Sequence, residues 1–547
     1  MIENNDAIAG DESVAADLCI VGAGPAGIAL ARELVGSRMK VVLVESGNLE
    51  IEPLSQKLNE AVVSGLPFTG HAEGRGRAFG GSARLWAGQC LPLDPIDLEE
   101  RPWVRHSGWP IAYGELEPYW RRAERFFGVE GESYGARTYR PFGLAAPAWD
   151  PRVVEAMFTV YTPSVDTGRA HIRAFRNATN LRVLVNATVS EIRTDATGRK
   201  VEGVTVSNAS GAERTILARR VVLCGGALEN ARLLLLSRSA NPKGLGNTHD
   251  LVGRFFQDHP NGLTAVLEGD GADLQERFRL LYARSRRYFP KLKLSEALQR
   301  EARVLNANAH LVFDYPPGGG LDTLRTVVHA LRRRDLGAET RRQVLRLPRH
   351  AGEIVGAAIQ HRRGRSPIAE PTSVHLQCYL EQEPDPESRV TLSTQRSDAH
   401  GSPMLDINWT FGELEQRTLK TVTEAICGEF ERLRLGRLKP LPWLEGPREG
   451  YASHLRDGYH HAGTTRMARS PEEGVVDADC AVFDVDGLYA CGGSVFPTSG
   501  YANPTLTIVA LAIRLADHLG ERFRQSGMEG GTAARDRRTA TLEQVER

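Results

Sequence analysis

No two cysteines in this 547-residue chain stand at CxxC spacing, and no His/Cys group has the spacing of a metal site. The seven cysteines, at positions 19, 90, 224, 378, 427, 480 and 491, lie far apart. That excludes a disulfide framework or a zinc fold and fits reduced core thiols of a cytoplasmic protein. Net charge is missing too. Sixty-eight basic residues meet 68 acidic ones, so the chain as a whole offers nothing to a polyanion, and nucleic acid is not an expected partner. No run of about 18 apolar residues occurs, which removes a transmembrane helix. The start, "MIENNDAIAGDESVAAD", is acidic and lacks the basic and apolar regions of a secretory leader. No internal repeat stands out.

What remains is an ordinary globular composition, 41% hydrophobic and 25% charged, over a length that suits two to four domain-sized units. The polar, Gly-rich ends, residues 1–14 and 525–547, are expected to be disordered. Between them the first apolar run, Leu18 to Val21, reads as a buried parallel strand. It runs into Gly22-Ala-Gly24-Pro-Ala-Gly27, a helical pattern from Ile28 to Leu34, and a second apolar run, Val41 to Val44, closed by Glu45. Each part has a physical role in binding a dinucleotide. Gly22 allows a tight turn, Gly24 lets backbone approach a pyrophosphate, and Gly27 lets helix and strand pack closely. Glu45 can accept hydrogen bonds from a ribose, and a carboxylate there disfavours a 2′-phosphate, leaving FAD or NAD.

The loop "GRGRAFGGSARLWAGQCLPLDPIDLEER", Gly74 to Arg101, turns at Gly80-Gly81-Ser82, where backbone can come close to a flat or phosphorylated ligand. A second strand, Gly-Gly turn and helix, "RRVVLCGGALENARLLLLS", is expected to extend the same sheet. Residues 265–455 differ. In "SVHLQCYLEQE", Val374, Leu376, Cys378 and Leu380 alternate with His375, Gln377, Tyr379 and Glu381, giving one apolar and one polar face. Such a sheet either roofs a polar substrate cavity or faces solvent, and Glu381 and Glu383 either attract a cationic substrate or lie on the surface. Residues 321–365 form an Arg-rich amphipathic segment, with Leu324, Val327, Val328 and Leu331 at helical spacing. A solvated insertion, a lid, a subunit contact and a membrane-surface contact all fit it. It has no interleaved aromatics for nucleic acid.

Near the C-terminus, "DGYHHAGTTRMA" sets His460 beside His461. A short strand, Leu488 to Cys491, then enters Gly492-Gly493. Asn503-Pro504-Thr505 opens a helix with Ile508, Leu511, Ala512 and Leu515 on its apolar face. A helix start presents free N–H groups and positive potential, which favour a flavin as it gains electrons.

In order and spacing, the Gly22/Gly24/Gly27 fingerprint with Glu45, the "GRGRAFGGSARLW" loop, the "YHHAGTTRM" segment and "DGLYACGGSVFPTSGYANPTLT" together resemble the glucose–methanol–choline family of FAD-dependent oxidoreductases. The resemblance implies an α/β protein. A Rossmann-like FAD-binding domain (most of 15–264, plus 456–522) is interleaved with a substrate domain (265–455, with parts of 95–175) of antiparallel sheet plus helices. It implies oxidation of a small-molecule alcohol, with hydride passing to the flavin, and oxygen or another acceptor taking the electrons. His460 matches the catalytic base and Asn503 the second active-site position. Gly80, Gly81, Ser82, Gly493, Pro504 and Thr505 match FAD-contacting segments. His461 is expected to pack or to support His460, and His259 in "GRFFQDHP" to be structural. Leu85 stands where some relatives carry a flavin-linking histidine, so FAD is expected to be non-covalent unless another histidine such as His71 substitutes. Sugars, polyols, sugar acids and glycoside natural products, aminoglycosides included, are the expected substrates. A sterol-type alcohol, a non-redox cyanohydrin-type lyase and a nicotinamide-dependent dehydrogenase are the alternatives.

Overall fold

In the computed structural model, the described residues are 1–7, 14–208, 211–269, 271–283, 286–315, 337–362 and 370–545, with 319, 323, 327 and 330. The uninterrupted apolar runs become a sheet buried on both faces. Its order is Ile2–Asn4 (β1), Leu181–Val185 (β7), Val41–Val44 (β3), Val14–Val21 (β2), Glu213–Leu223 (β10), Val201–Ser207 (β9) and Thr188–Thr194 (β8). Leu488–Ala490 (β19) adds to β10, and every pairing except those of β8 and β9 is parallel. Leu18, Cys19 and Ile20 are fully buried, as coverage by helices on both sides requires. One of those helices, Pro25–Leu34, packs unusually close. A Cβ on Gly27 would lie 1.9 Å from the Gly22 carbonyl oxygen. Gly27→Val is therefore expected to cost about 3 kcal/mol or more, read as a lower midpoint in thermal or denaturant unfolding.

The alternating strands build a second sheet. Its order is Arg437–Pro440 (β18), Asn261–Glu268 (β11), Ser373–Leu380 (β15), Ala307–Asp314 (β14), Arg286–Leu294 (β13), Val154–Tyr161 (β6) and Gln89–Cys90 (β5), with Leu281–Ala283 (β12) beside β13. Val374, Leu376, Cys378 and Leu380 point to one face, and the helix Glu413–Arg432 covers them with Leu419, Val422, Ile426 and Phe430. Burying each such Val or Leu contributes roughly 1.5–3 kcal/mol. The opposite face carries Phe289, Lys291, Asn308, His310 and Tyr379 and looks into a cleft. The sheet therefore roofs a cavity instead of facing solvent.

Three features depart from the sequence reading. Residues 2–4, expected to be disordered, pair in parallel with β7, and the Met1 amine donates to the Leu181 carbonyl at 3.0 Å. The helix Thr505–Val545 continues through the tail beyond 525, where disorder was expected. Buried side chains between Leu506 and Leu519 anchor the start of that helix. Arg389–Ser397 (β16) and Pro403–Asn408 (β17), read as part of the substrate unit, pair with each other in a separate sheet that β17 extends in parallel to Ala61–Val63 (β4). Val390, Leu405 and Ile407 join the first sheet's core. In the Arg-rich segment, Leu324, Val328 and Leu331 lie outside the described residues, while Ala338–Arg346 and Ala351–Arg362 are helices. All seven cysteines are free. Among the described residues no helix is long and apolar enough to cross a membrane, and no His/Cys/Asp/Glu group could hold a metal.

Candidate active site

Four turns meet at the carboxyl ends of the parallel strands. Gly22–Gly24 follows β2, Glu45–Ser46 follows β3, Cys224–Gly226 follows β10, and Cys491–Gly493 follows β19. This edge is where open parallel sheets bind ligands. The turns line a cleft of about 570 Å³ that reaches from Glu45 to the polar face of the second sheet. Gly22, Gly24, Glu45, Gly81, Ser82, Gly493, Pro504 and Thr505 all line it, as do His460 and Asn503. Gly27 and Gly80 stand behind the wall. Gly27 seats the helix on the sheet, and the Gly80 N–H donates to the Ala23 carbonyl at 2.8 Å.

The lining fits a dinucleotide. Glu45 is fixed at its strand end by N–H donors from Ala23 and Gly47, each 2.9 Å away, which leaves carboxylate lone pairs for a ribose. Burial raises its pKa, and those two donors oppose the rise. Gly81 sits against Gly24, where any Cβ would lie 2.7 Å from the Gly24 Cα, and beyond Gly24 itself the space is open. Arg75 and Arg77 both reach Glu229 at 2.7 Å, and Arg232 reaches Asp398 at 2.6 Å. These guanidiniums place planar donors on the cleft wall, which suits a diphosphate. Sequence reading saw the "GRGR" arginines only as loop composition. It also passed over Asn230, whose amide donates to the Cys491 carbonyl at 3.2 Å and accepts from the Gly225 N–H at 2.8 Å, tying two of the turns together.

At the far end the His460 ring stands between two partners. Its Nδ1 is 2.9 Å from Nδ1 of His259, and its Nε2 is 3.3 Å from the amide nitrogen of Asn503. Burial, then the neighbouring His259 and Lys291, hold its pKa well below the usual imidazole value. The backbone around it is set by a carboxylate. Asp258 accepts N–H bonds from His259 at 2.6 Å, from His460 at 2.7 Å, and from Gly458 and Tyr459 at 3.2 Å each. Burial pushes its carboxyl up to about 7 against those donors. Tyr459 takes a left-handed φ of 61°, so that successive N–H groups converge on one anion. Gln257 completes the frame. It exchanges backbone hydrogen bonds with Ala462, while its side chain accepts from the Ser499 N–H at 3.0 Å and donates to the Pro497 carbonyl at 3.2 Å. Gln257, Asp258 and His259 thus hold both the His460 segment and the loop leading to Asn503.

Several sequence readings change here. His259, read as structural, touches His460. His461 keeps the packing role expected for it, set on Phe68 with ring centroids 5.3 Å apart, and burial lowers its pKa to about 3. Its Nε2 lies 3.9 Å from Asp258. Glu381 neither lines the cleft nor lies on the surface. It is fully buried in a two-pronged pair with Arg101, at 2.8 and 2.5 Å. Glu383 pairs with Arg105 at 3.0 Å. His71 turns its Nδ1 to the Phe68 carbonyl at 3.1 Å and is absent from the cleft lining.

Residues 17–244 match the FAD-dependent oxidoreductase family description, and residues 384–512 match GMC oxidoreductase. The chain is 25% identical to 2-methyl-1,2-propanediol dehydrogenase of Mycolicibacterium austroafricanum, over 93% of this chain and 95% of that one. It is 24% identical to 6'''-hydroxyparomomycin C oxidase of Streptomyces lividus, over 92% of each. Among solved structures, formate oxidase shares the fold with a TM-score of 0.56 at 18% identity, covering 94% of this chain and 100% of that one. With an FAD-type sheet, a lined dinucleotide cleft and full-length similarity to alcohol-oxidising relatives, the chain belongs to the GMC oxidoreductase family and is an FAD-dependent alcohol oxidoreductase.

Proposed function

We propose that this protein oxidises a hydroxyl group of a sugar- or polyol-like compound, with His460 as base and Asn503 as the group that holds the reacting oxygen. The pairing of His460 Nε2 with the Asn503 amide at the cleft end remote from Glu45 carries the reading. An amide N–H directed at Nε2 needs a bare lone pair there, which places the imidazole proton on Nδ1, toward His259. Burial keeps the ring neutral. His460 Nε2 then takes the hydroxyl proton, and the Asn503 amide donates to the oxygen as negative charge grows on it. FAD, when bound, supplies the acceptor for the hydride that leaves the carbinol carbon with its bonding electron pair. Gly24, Gly81, Gly493, Pro504 and Thr505, which line the cleft, would hold it, and Glu45 would accept hydrogen bonds from its ribose. With Leu85 at the linking position and His71 turned away, the cofactor is held without a covalent bond. The free cysteines support a reducing, cytoplasmic setting.

The polar wall of Asn308, His310 and Tyr379 favours hydroxylated substrates over sterols. The test is an anaerobic screen of diols, sugars, polyols, aminoglycosides and sterols against the yellow protein. Bleaching of the flavin band by sugars or polyols is the expected result, with acid precipitation releasing all the flavin. A flavin that stays oxidised with every alcohol, while a cyanohydrin is cleaved, would sink the redox reading.

A further inference from the structure

Strand β13 carries four cations, and three of them have partners. Arg286 pairs with Glu132 at 2.5 Å, Arg287 lies over the Tyr161 ring at 4.5 Å, and Lys293 pairs with Asp94 at 2.7 Å. Lys291 is different. It is only 7% exposed, it lines the cleft, and no carboxylate among the described residues pairs with it. Its Nζ sits 5.5 Å from the Tyr379 ring centroid and 5.9 Å from that of Phe289, a partial electrostatic compensation. Burial lowers its pKa to about 8, so the ammonium persists at neutral pH. A buried, charged ammonium without an anion is a costly arrangement for a fold to keep. Its place on the cleft wall, in the field of His460, gives it something to do.

We propose that Lys291 recognises an anion on the substrate, and that the substrate is a polyhydroxy carboxylate of the aldonate or uronate class. Its carboxylate pairs with the Lys291 ammonium while a carbinol of the same molecule lies at His460 and Asn503. This rests on the cleft being the site of alcohol oxidation. One ammonium balances one negative charge, which suits a carboxylate better than a phosphate dianion. It also opposes the ammonium groups of an aminoglycoside, so this chain departs in charge preference from what its aminoglycoside-oxidising relative acts on. The titratable groups facing Lys291 are His310 on β14, Tyr379 on β15, and His259 and His460. All three imidazoles are held neutral by burial, with Lys291 adding to the effect, so none competes for the anion.

The experiment compares uronates and aldonates with their own amides, which keep every hydroxyl and lose only the charge. Anaerobic flavin reduction is measured for the wild type, Lys291→Met and Lys291→Arg. In the wild type the acid should exceed its amide in kcat/KM by roughly 100-fold. Lys291→Met should erase that preference through KM and leave the amide within about threefold, and Lys291→Arg should restore part of it. Above pH 8 the wild-type preference should fade as free Lys291 loses its proton. Calorimetry with cyclohexanecarboxylate, which has no hydroxyl to oxidise, should show binding at least about tenfold weaker in Lys291→Met. Equal use of acid and amide by the wild type, or equal loss of both in Lys291→Met, overturns the proposal, as does a sugar phosphate or an aminoglycoside preferred over every carboxylate. If cyclohexanecarboxylate binds in a Lys291-dependent way but no alcohol bleaches the flavin, the anion site stands and the oxidation reading fails.

Discussion

Replacing His460 with alanine is expected to slow anaerobic flavin reduction by about 10³-fold, within the 10²- to 10⁴-fold range for loss of a positioned base. Flavin content and unfolding midpoint should stay near wild type. The ring fills space at the cleft wall, whereas the frame around it hangs on Asp258 and the backbone N–H groups of 458–460. The pH profile tests the surroundings of the ring. Because burial depresses the His460 pKa, the neutral form persists below pH 6.5, and kcat/KM should show no acid limb near that value. A variant that reduces flavin as fast as the wild type would remove His460 from the mechanism. An acid limb at 6.5 would remove the account of its environment.

The second large effect is on stability. Arg101 and Glu381 are both fully buried and joined by two hydrogen bonds, and Glu381 also accepts from the Asn306 N–H at 3.0 Å. Asn306 in turn donates to Asp97 at 2.7 Å, and the Asp97 carbonyl accepts from Thr498 at 2.6 Å. Glu381→Ala strands a buried guanidinium and is expected to cost about 3–5 kcal/mol. The joint change Arg101→Met with Glu381→Leu removes both charges and should recover most of that loss in urea unfolding. If the single variant is as stable as the wild type, the pair does not hold the second sheet to the 97–101 and 498 loops as described. Loss of the Thr498 link would also loosen the approach to Asn503.

The parts of this protein that could be read from the chain are those whose causes are local. Apolar runs at Leu18–Val21 and Val41–Val44, each followed by Gly or Glu, carry their own strand and turn signals, and they form β2 and β3. Period-two alternation at 374–380 gave the two faces of β15 correctly. It misled at Glu381, where the strand has ended and the carboxylate turns to an arginine 280 residues away. Gln257 and Asp258 escaped, and His259 was read only as structural, for the same reason: their partners lie some 200 residues later in the chain and spacing holds no trace of them. The short strand at residues 2–4 is polar and owes its existence to the free edge of β7, so composition alone pointed to disorder. His460 and Asn503 came from family resemblance, and the folded chain brings them within 3.3 Å. Lys291 drew no notice in the sequence, because a lysine in a strand is ordinary until its carboxylates prove to be elsewhere.

The helix Glu413–Arg432 covers the inner face of the second sheet, while Phe289, Lys291, Asn308, His310 and Tyr379 occupy the other. The two sets alternate along the same strands, yet they share no packing. Selection can therefore rewrite what the cleft accepts without renegotiating how the sheet is built. A scaffold with that separation can diversify among diols, sugars and acids by exchanging a handful of side chains while its backbone stays constant.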